Sequence, residues 1–197
     1  MRKFDPSLYF ITDSTGFTEE EFLYRVDQAL QGGVTLVQLR EKDKSTREYM
    51  ELAKKVHILT KKHNVSLIID DRVDVALAID AEGVHVGASD MPVATAKTVP
   101  WAKEAYEQGA DYLGVGAIYP TTTKVKTVLT STDTLRDICN AVLIPANAIG
   151  GLNKDNIDIL AGIPISGICV VSAIMKADDS KQAAEQLKAR AKELGLC

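Results

Sequence analysis

Short apolar runs alternate along this chain with longer stretches of helical period. The runs cover residues 8–12, 35–40, 66–70, 83–87, 112–118, 142–149 and 167–171. They are apolar on both faces and rich in Val and Ile, the pattern of strands buried in a parallel sheet. Thr18-x-x-Glu21 and Ser45-x-x-Glu48 are capping boxes that open two amphipathic helices. The first carries Phe22, Leu23, Val26, Ala29 and Leu30 on one face and stops at Gly32-Gly33. The second carries Tyr49, Leu52, Ala53, Val56 and Leu59. Residues 102–109, 154–160 and 178–194 read as further helices. No linker or shift in composition interrupts the alternation, so residues 1–197 are expected to form one domain, a parallel sheet under helical cover.

Polar residues collect at the C-terminal end of nearly every run. They are Asp13; Gln38, Arg40 and Lys42; Asp70, Asp71 and Arg72; Ser89 and Asp90; Thr121 to Lys124; Gly150, Gly151 and Asn153; and Ser172. A rim supplied by all strands suits a (β/α) barrel, whose site is assembled from its βα loops. An open doubly wound sheet concentrates its site at one switch point. The expected fold is therefore a TIM-type barrel.

Composition narrows the function without choosing it. The 197 residues are 46% hydrophobic and 25% charged, as in an ordinary globular protein. Lys and Arg number 23 against 27 Asp and Glu, a net charge of −4, so no electrostatic footprint for nucleic acid or an anionic membrane is expected. No apolar run approaches the ~20 residues that cross a bilayer, and no leader pattern is visible. Cys139, Cys169 and Cys197 form no close pair, which argues against a disulfide framework or a structural zinc site. Cys169 lies in an apolar run and reads as a small core residue. A cytoplasmic protein is expected, and nothing in the sequence sets its oligomeric state.

Several groups on the rim suit anions. Alternation sends Gln38, Arg40 and Lys42 to one side and Leu39 to the other, an anion clamp or else a solvated strand end with local ion pairs. Gly150-Gly151 lets a phosphate approach backbone N–H groups, or serves a tight turn, and Ser172 could add a donor to the same group. Thr121-Thr-Thr-Lys124 offers three hydroxyls and a cation, or is a polar loop. Asp71 and Asp90 end consecutive runs and could share a Mg²⁺ ion, which takes few carboxylates and keeps water. Their alternatives are a salt bridge to Arg72 and a helix N-cap. His85 reads as a core or lining histidine, and His57 and His63 as parts of one helix and its end. Together these groups point to a small-molecule ligand with a diphosphate, a metal and a second phosphate.

These motifs resemble the thiamine phosphate synthase family. The resemblance rests on residues 33–42, 68–76, 83–92, 109–116, 120–124, 148–151 and 170–175, nearly the whole chain in order. It implies a TIM barrel that joins a hydroxymethylpyrimidine diphosphate to a thiazole phosphate, with Mg²⁺ and release of pyrophosphate. Carried over by motif, Gln38, Leu39, Arg40, Glu41, Lys42, Asp70 and Lys124 would hold the pyrimidine diphosphate, with Arg40, Lys42 and Lys124 stabilising the leaving charge. Asp71 and Asp90 would ligate Mg²⁺, and Thr121, Thr122, Thr123, Gly151, Val171 and Ser172 would hold the thiazole phosphate. Within the same barrel, a thiazole tautomerase or an inactive ligand-binding relative is the alternative. The chain departs from the family in two places. Asp70 stands where Asn is usual. After Met91-Pro-Val-Ala the chain is short, with seven strands counted where the family has eight, so an eighth strand and part of a loop are expected to be absent from the sequence as it stands.

Overall fold

The structure is a computed structural model that describes residues 4–87, 95–121 and 128–196. Strands β1 (Leu8–Ile11), β2 (Leu36–Leu39), β3 (Ser66–Asp70), β4 (Gly83–His85), β5 (Thr95–Ala96), β6 (Leu113–Gly116), β7 (Ala146–Ile149) and β8 (Gly167–Val170) form one sheet. Its spatial order is β4-β3-β2-β1-β8-β7-β6-β5, and every ladder is parallel. The helices are α1 (Glu19–Gln31), α2 (Thr46–Lys62), α3 (Val73–Ile79), α4 (Val99–Glu107), α5 (Thr132–Ala141), α6 (Ser172–Met175) and α7 (Ser180–Glu193). This is the expected α/β barrel architecture.

Period-two alternation divides the core into two layers. Leu8, Phe10, Val37, Leu39, Leu67, Ile69 and Ile168 face outward and pack under the helices. Tyr9, Ile11, Leu36, Ile68 and Cys169 face inward and form a smaller cluster with Tyr112. Cys169 is thus the buried residue its sequence suggested.

Both helix starts are capped where the sequence indicates, α2 by the full capping box, whereas at α1 only the Thr18 half of the box is seen and the Glu21 carboxylate accepts from Arg25. Thr18 Oγ1 accepts from Glu21 N at 3.2 Å, and Ser45 with Glu48 closes a reciprocal capping box. His57 lies in α2 and His63 caps its end. Gly32 stops α1 and also admits α7, since a Cβ there would lie 2.4 Å from the Lys181 carbonyl oxygen.

Three segments differ from expectation. Residues 154–160 form only a 3₁₀ turn, Ile157–Leu160. Asn156 Oδ1 accepts from Asn153 N at 2.8 Å and Asn153 Oδ1 from Asp155 N at 2.9 Å, so the asparagine side chains fold this segment into a local turn ahead of the 3₁₀ residues. The helix α5, which no sequence signal above announced, is capped within the polar residues 130–133, where Ser131 Oγ accepts from Thr134 N at 3.1 Å.

The third difference is the short stretch after Pro92. The seven strands counted from sequence have three to five residues each, and an eighth is present as the two-residue β5, which runs directly into α4. The eighth strand is therefore reduced rather than lost. The connection between β4 and β5 spans residues 86–94, whereas a parallel crossover usually takes a dozen residues or more. Strands this short need a return path of only ~10 Å, within reach of such a segment. Among the described residues no ladder joins β4 to β5, so the barrel has a seam there.

Candidate active site

A cavity of about 440 Å³ is lined by residues from the C-terminal ends of the strands and by inward-facing residues below them. Gly114 and Gly116 of β6 line it without side chains, which leaves room for a ligand.

One wall carries charge. Lys42 Nζ lies 2.7 Å from Asp70 Oδ2 and also contacts Asp71 Oδ2, while Arg40 Nε lies 3.8 Å from Asp70 Oδ2. Burial works to lower the Lys42 pKa, but its contacts with Asp70 and Asp71 outweigh this and leave it raised, so the ammonium is charged. Asp71 sits at φ 58°, a left-handed conformation that Asp tolerates. Its N–H donates to the His85 carbonyl at 2.8 Å, which carries the β3–β4 pairing past the end of β3 and turns the chain at the mouth.

The other wall is built from glycines and hydroxyls. Gly150 and Gly151 have φ of 105° and 63°. A Cβ on Gly150 would lie 2.4 Å from the Ala117 Cβ, and one on Gly151 would lie 2.7 Å from the Pro120 carbonyl oxygen. The pair is therefore required for packing the loop that leads to Thr121, beyond any role with a ligand. Thr121, Val171 and Ser172 complete this wall.

Deeper in the cavity Tyr9, Gln38 and His85 line it and are joined by hydrogen bonds through Tyr112, which is buried behind them. Gln38 Nε2 donates to Tyr9 Oη at 2.7 Å, the hydroxyls of Tyr9 and Tyr112 are 2.9 Å apart, and Tyr112 Oη lies 2.8 Å from His85 Nδ1.

The structure brings Gln38, Arg40, Lys42, Asp70, Asp71, Thr121, Gly151, Val171 and Ser172 to one cavity. It does not bring Leu39 or Glu41 there. Leu39 packs under the helices, and its carbonyl accepts from Tyr49 Oη at 2.6 Å. Glu41 follows the same outward parity. Its Oε2 accepts from Ser14 Oγ at 2.8 Å and lies 3.7 Å from Lys44 Nζ, and burial pushes its carboxyl pKa up. Asp90, Thr122, Thr123 and Lys124 lie outside the described residues. His85 is a lining residue. Tyr9 and Lys97 line the cavity without having been singled out. Tyr9 was hidden in an apolar run, and Lys97 directly follows a strand too short to count.

Comparison with known proteins gives the family. Residues 8–174 match the model of a family described as thiamine monophosphate synthase. A thiamine-phosphate synthase of Enterococcus faecalis is 49% identical over 185 aligned positions, covering 87% of each chain. One from Clostridium tetani is 43% identical over 200, covering 94% of this chain and 96% of its own. Among solved structures, thiamine phosphate pyrophosphorylase from Pyrococcus furiosus superposes with a TM-score of 0.87 at 39% identity, over 95% of this chain and 96% of that one. The alignment with the Enterococcus relative is 185 positions long but takes in 87% of this 197-residue chain, about 171 residues, so roughly fourteen aligned positions have no residue here.

Proposed function

The chain belongs to the thiamine monophosphate synthase family, and from that premise we propose how its rim divides the work of the reaction. The enzyme is a transferase of thiamine biosynthesis that condenses a hydroxymethylpyrimidine diphosphate with a thiazole phosphate, giving thiamine phosphate and pyrophosphate. In this reading Arg40 and Lys42 hold the diphosphate, and Lys124 is assigned to it as a further cation. Thr121, Gly151, Val171 and Ser172 hold the thiazole phosphate, and Thr122 and Thr123 are assigned to the same group. The observation that carries the reading is that one cavity has a cationic wall and, apart from it, a glycine and hydroxyl wall, as two phosphorylated substrates require.

The bond between the pyrimidine methylene carbon and the bridging oxygen breaks, and the pyrophosphate leaves with the electron pair. The thiazole nitrogen then gives its lone pair to that carbon and becomes the thiazolium nitrogen. No protein nucleophile is needed. What the chain must supply is fixed charge where the leaving group gains it, and Arg40 forks onto phosphate oxygens while Lys42 acts as a point charge.

Asp70 and Asp71 both approach the single cation Lys42 Nζ, so two oxygen donors already converge on one positive centre. Such a hard, all-oxygen set fits Mg²⁺. Asp71 would hold it together with Asp90, and when bound it would supply charge compensation to the departing diphosphate. We place the enzyme in the cytoplasm. Cys139 and Cys169 are free thiols, in keeping with a reducing compartment, and no helix among the described residues is long and apolar enough to cross a membrane. A thiazole tautomerase or an inactive relative is not favoured, since the relatives reported above are named as synthases.

The test is pyrophosphate release from the purified protein. Release is expected only when both substrates and Mg²⁺ are present. Release that ignores the thiazole phosphate, or no release at all, would refute the reading.

A further inference from the structure

Charge is unevenly committed around the cavity. Among the described residues that line it, the Asp, Lys and Arg side chains are Arg40, Lys42, Asp70, Asp71 and Lys97. Four of them are engaged with one another. Lys42 Nζ contacts both carboxylates and Arg40 Nε lies 3.8 Å from Asp70 Oδ2, so two cations meet two anions. The wall assigned to the diphosphate thus offers directed donors but no surplus charge. Lys97 differs, since it forms no ion pair among the described residues.

The strand register puts it there. Thr95 of β5 pairs with Gly114 of β6, and Ala96 with Val115. Ala96 and Val115 are buried in the outer layer under the helices, so alternation turns Lys97 inward, to the face of Gly114 and Gly116. Those glycines project no side chain, and the half-buried Lys97 has the cavity beside it. An anion that enters meets this ammonium without first breaking an ion pair inside the protein.

We propose that Lys97 is a catalytic residue of the condensation, the cation that contacts the diphosphate of the pyrimidine substrate and neutralises charge on the pyrophosphate as it leaves. The proposal rests on the function given above for the substrate, but not for the anion site. A diphosphate carries more charge than a phosphate monoester, and the glycine and hydroxyl wall already gives a monoester neutral donors. The uncommitted charge is therefore needed at the diphosphate, which Arg40 and Lys42 approach from β2 and Lys97 from β5, beyond the seam. Lys97 keeps its proton throughout and forms no bond to the substrate.

The experiment follows binding of inorganic pyrophosphate by isothermal titration calorimetry, and pyrophosphate release by steady-state kinetics. Lys97→Met removes the charge and keeps a chain of similar length. It is expected to weaken pyrophosphate binding, and to lower kcat/KM for the pyrimidine diphosphate, by about 10- to 100-fold, the effect of one hydrogen bond to a charged group, with KM for the thiazole phosphate unchanged. Lys97→Arg is expected to recover most of both losses. Lys103→Met removes a charge from the exposed face of α4 and is expected to change neither. Unchanged pyrophosphate binding in Lys97→Met, an effect confined to the thiazole phosphate, or an equal loss in Lys103→Met would overturn the proposal. A wild type that binds pyrophosphate through Lys97 but releases none from the two substrates would uphold the anion site and reject only the assigned reaction.

Discussion

A carboxylate at position 70 has to be kept from repelling the diphosphate beside it. Lys42 and Arg40 both face Asp70, so part of the positive charge meant for substrate is spent inside the protein. Asp70→Asn should release Lys42 and lower KM for the pyrimidine diphosphate by roughly threefold to tenfold, a Coulomb effect reduced by solvent at the cavity mouth. Steady-state kinetics at fixed thiazole phosphate would measure it, and a raised KM would mean that Asp70 instead holds Lys42 in its working position. For the second phosphate, Gly151 is a poor probe because any side chain there displaces the Pro120 loop. Ser172→Ala is cleaner and should raise KM for the thiazole phosphate by about tenfold while sparing the other substrate. Glu41 gives a pH signature. Burial raises its folded pKa, so the fold prefers it protonated, and that preference is lost as pH rises through the folded value. Glu41→Gln should therefore stabilise the protein at pH 7 and make no difference well below the ordinary glutamate range, as urea melts at the two pH values would show. Alternation alone separated Gln38, Arg40 and Lys42 from Leu39, and applied one residue further it would have sent Glu41 outward as well. Tyr9 and Tyr112 were not legible as polar residues, because a tyrosine in an apolar strand reads as core until its hydroxyl partners are known.

Elements with a local chemical signature were readable, and those defined by competition or by context were not. The α1 and α2 starts follow from Thr18 and Ser45, whose hydroxyls satisfy N–H groups of the first turn. Residues 154–160 have helical spacing, but asparagine side chains close a local turn there and only Ile157–Leu160 goes on, as a 3₁₀ turn. The two residues of β5 carry no periodicity at all, and only pairing with Gly114 and Val115 defines them as a strand. Gly32 shows how a stop signal can hide a packing demand. Sequence assigns it to the end of α1, whereas the close approach of α7 forbids a side chain there. Gly32→Ala should cost about 1–3 kcal/mol in urea unfolding, since the obstacle is backbone and cannot rotate away. An unchanged midpoint would mean that α7 shifts freely.

At the scale of the whole molecule, the first and last strands are neighbours in the middle of the sheet, and the middle of the sequence supplies its two ends. The barrel class was legible because chemistry recurs at the same end of each strand. The seam was not, because a shortened connection shows only as missing length, and the sequence does not say whether a strand or a helix was given up. Residues from both sides of the seam still share one cavity, with Lys42 and Asp71 before it and Lys97 and Ser172 after it.

Seen this way, the protein is a pair of four-stranded halves whose described strand pairing to each other is the ladder between β1 and β8, reinforced by α1 against α7 and by Asn147 Nδ2 donating to the Pro6 carbonyl at 2.6 Å. The peptide that links them in sequence joins β4 to β5, between which the described residues form no ladder. Covalent continuity there should then matter less than complementarity between the halves. Two separate polypeptides divided within residues 88–94 are expected to assemble when co-expressed and to recover pyrophosphate release, each being inert alone. Failure of the two to co-purify would show that the short connection itself holds the barrel together. If they do assemble, this fold divides at its seam into two genetically separable pieces, each carrying one wall of the active site.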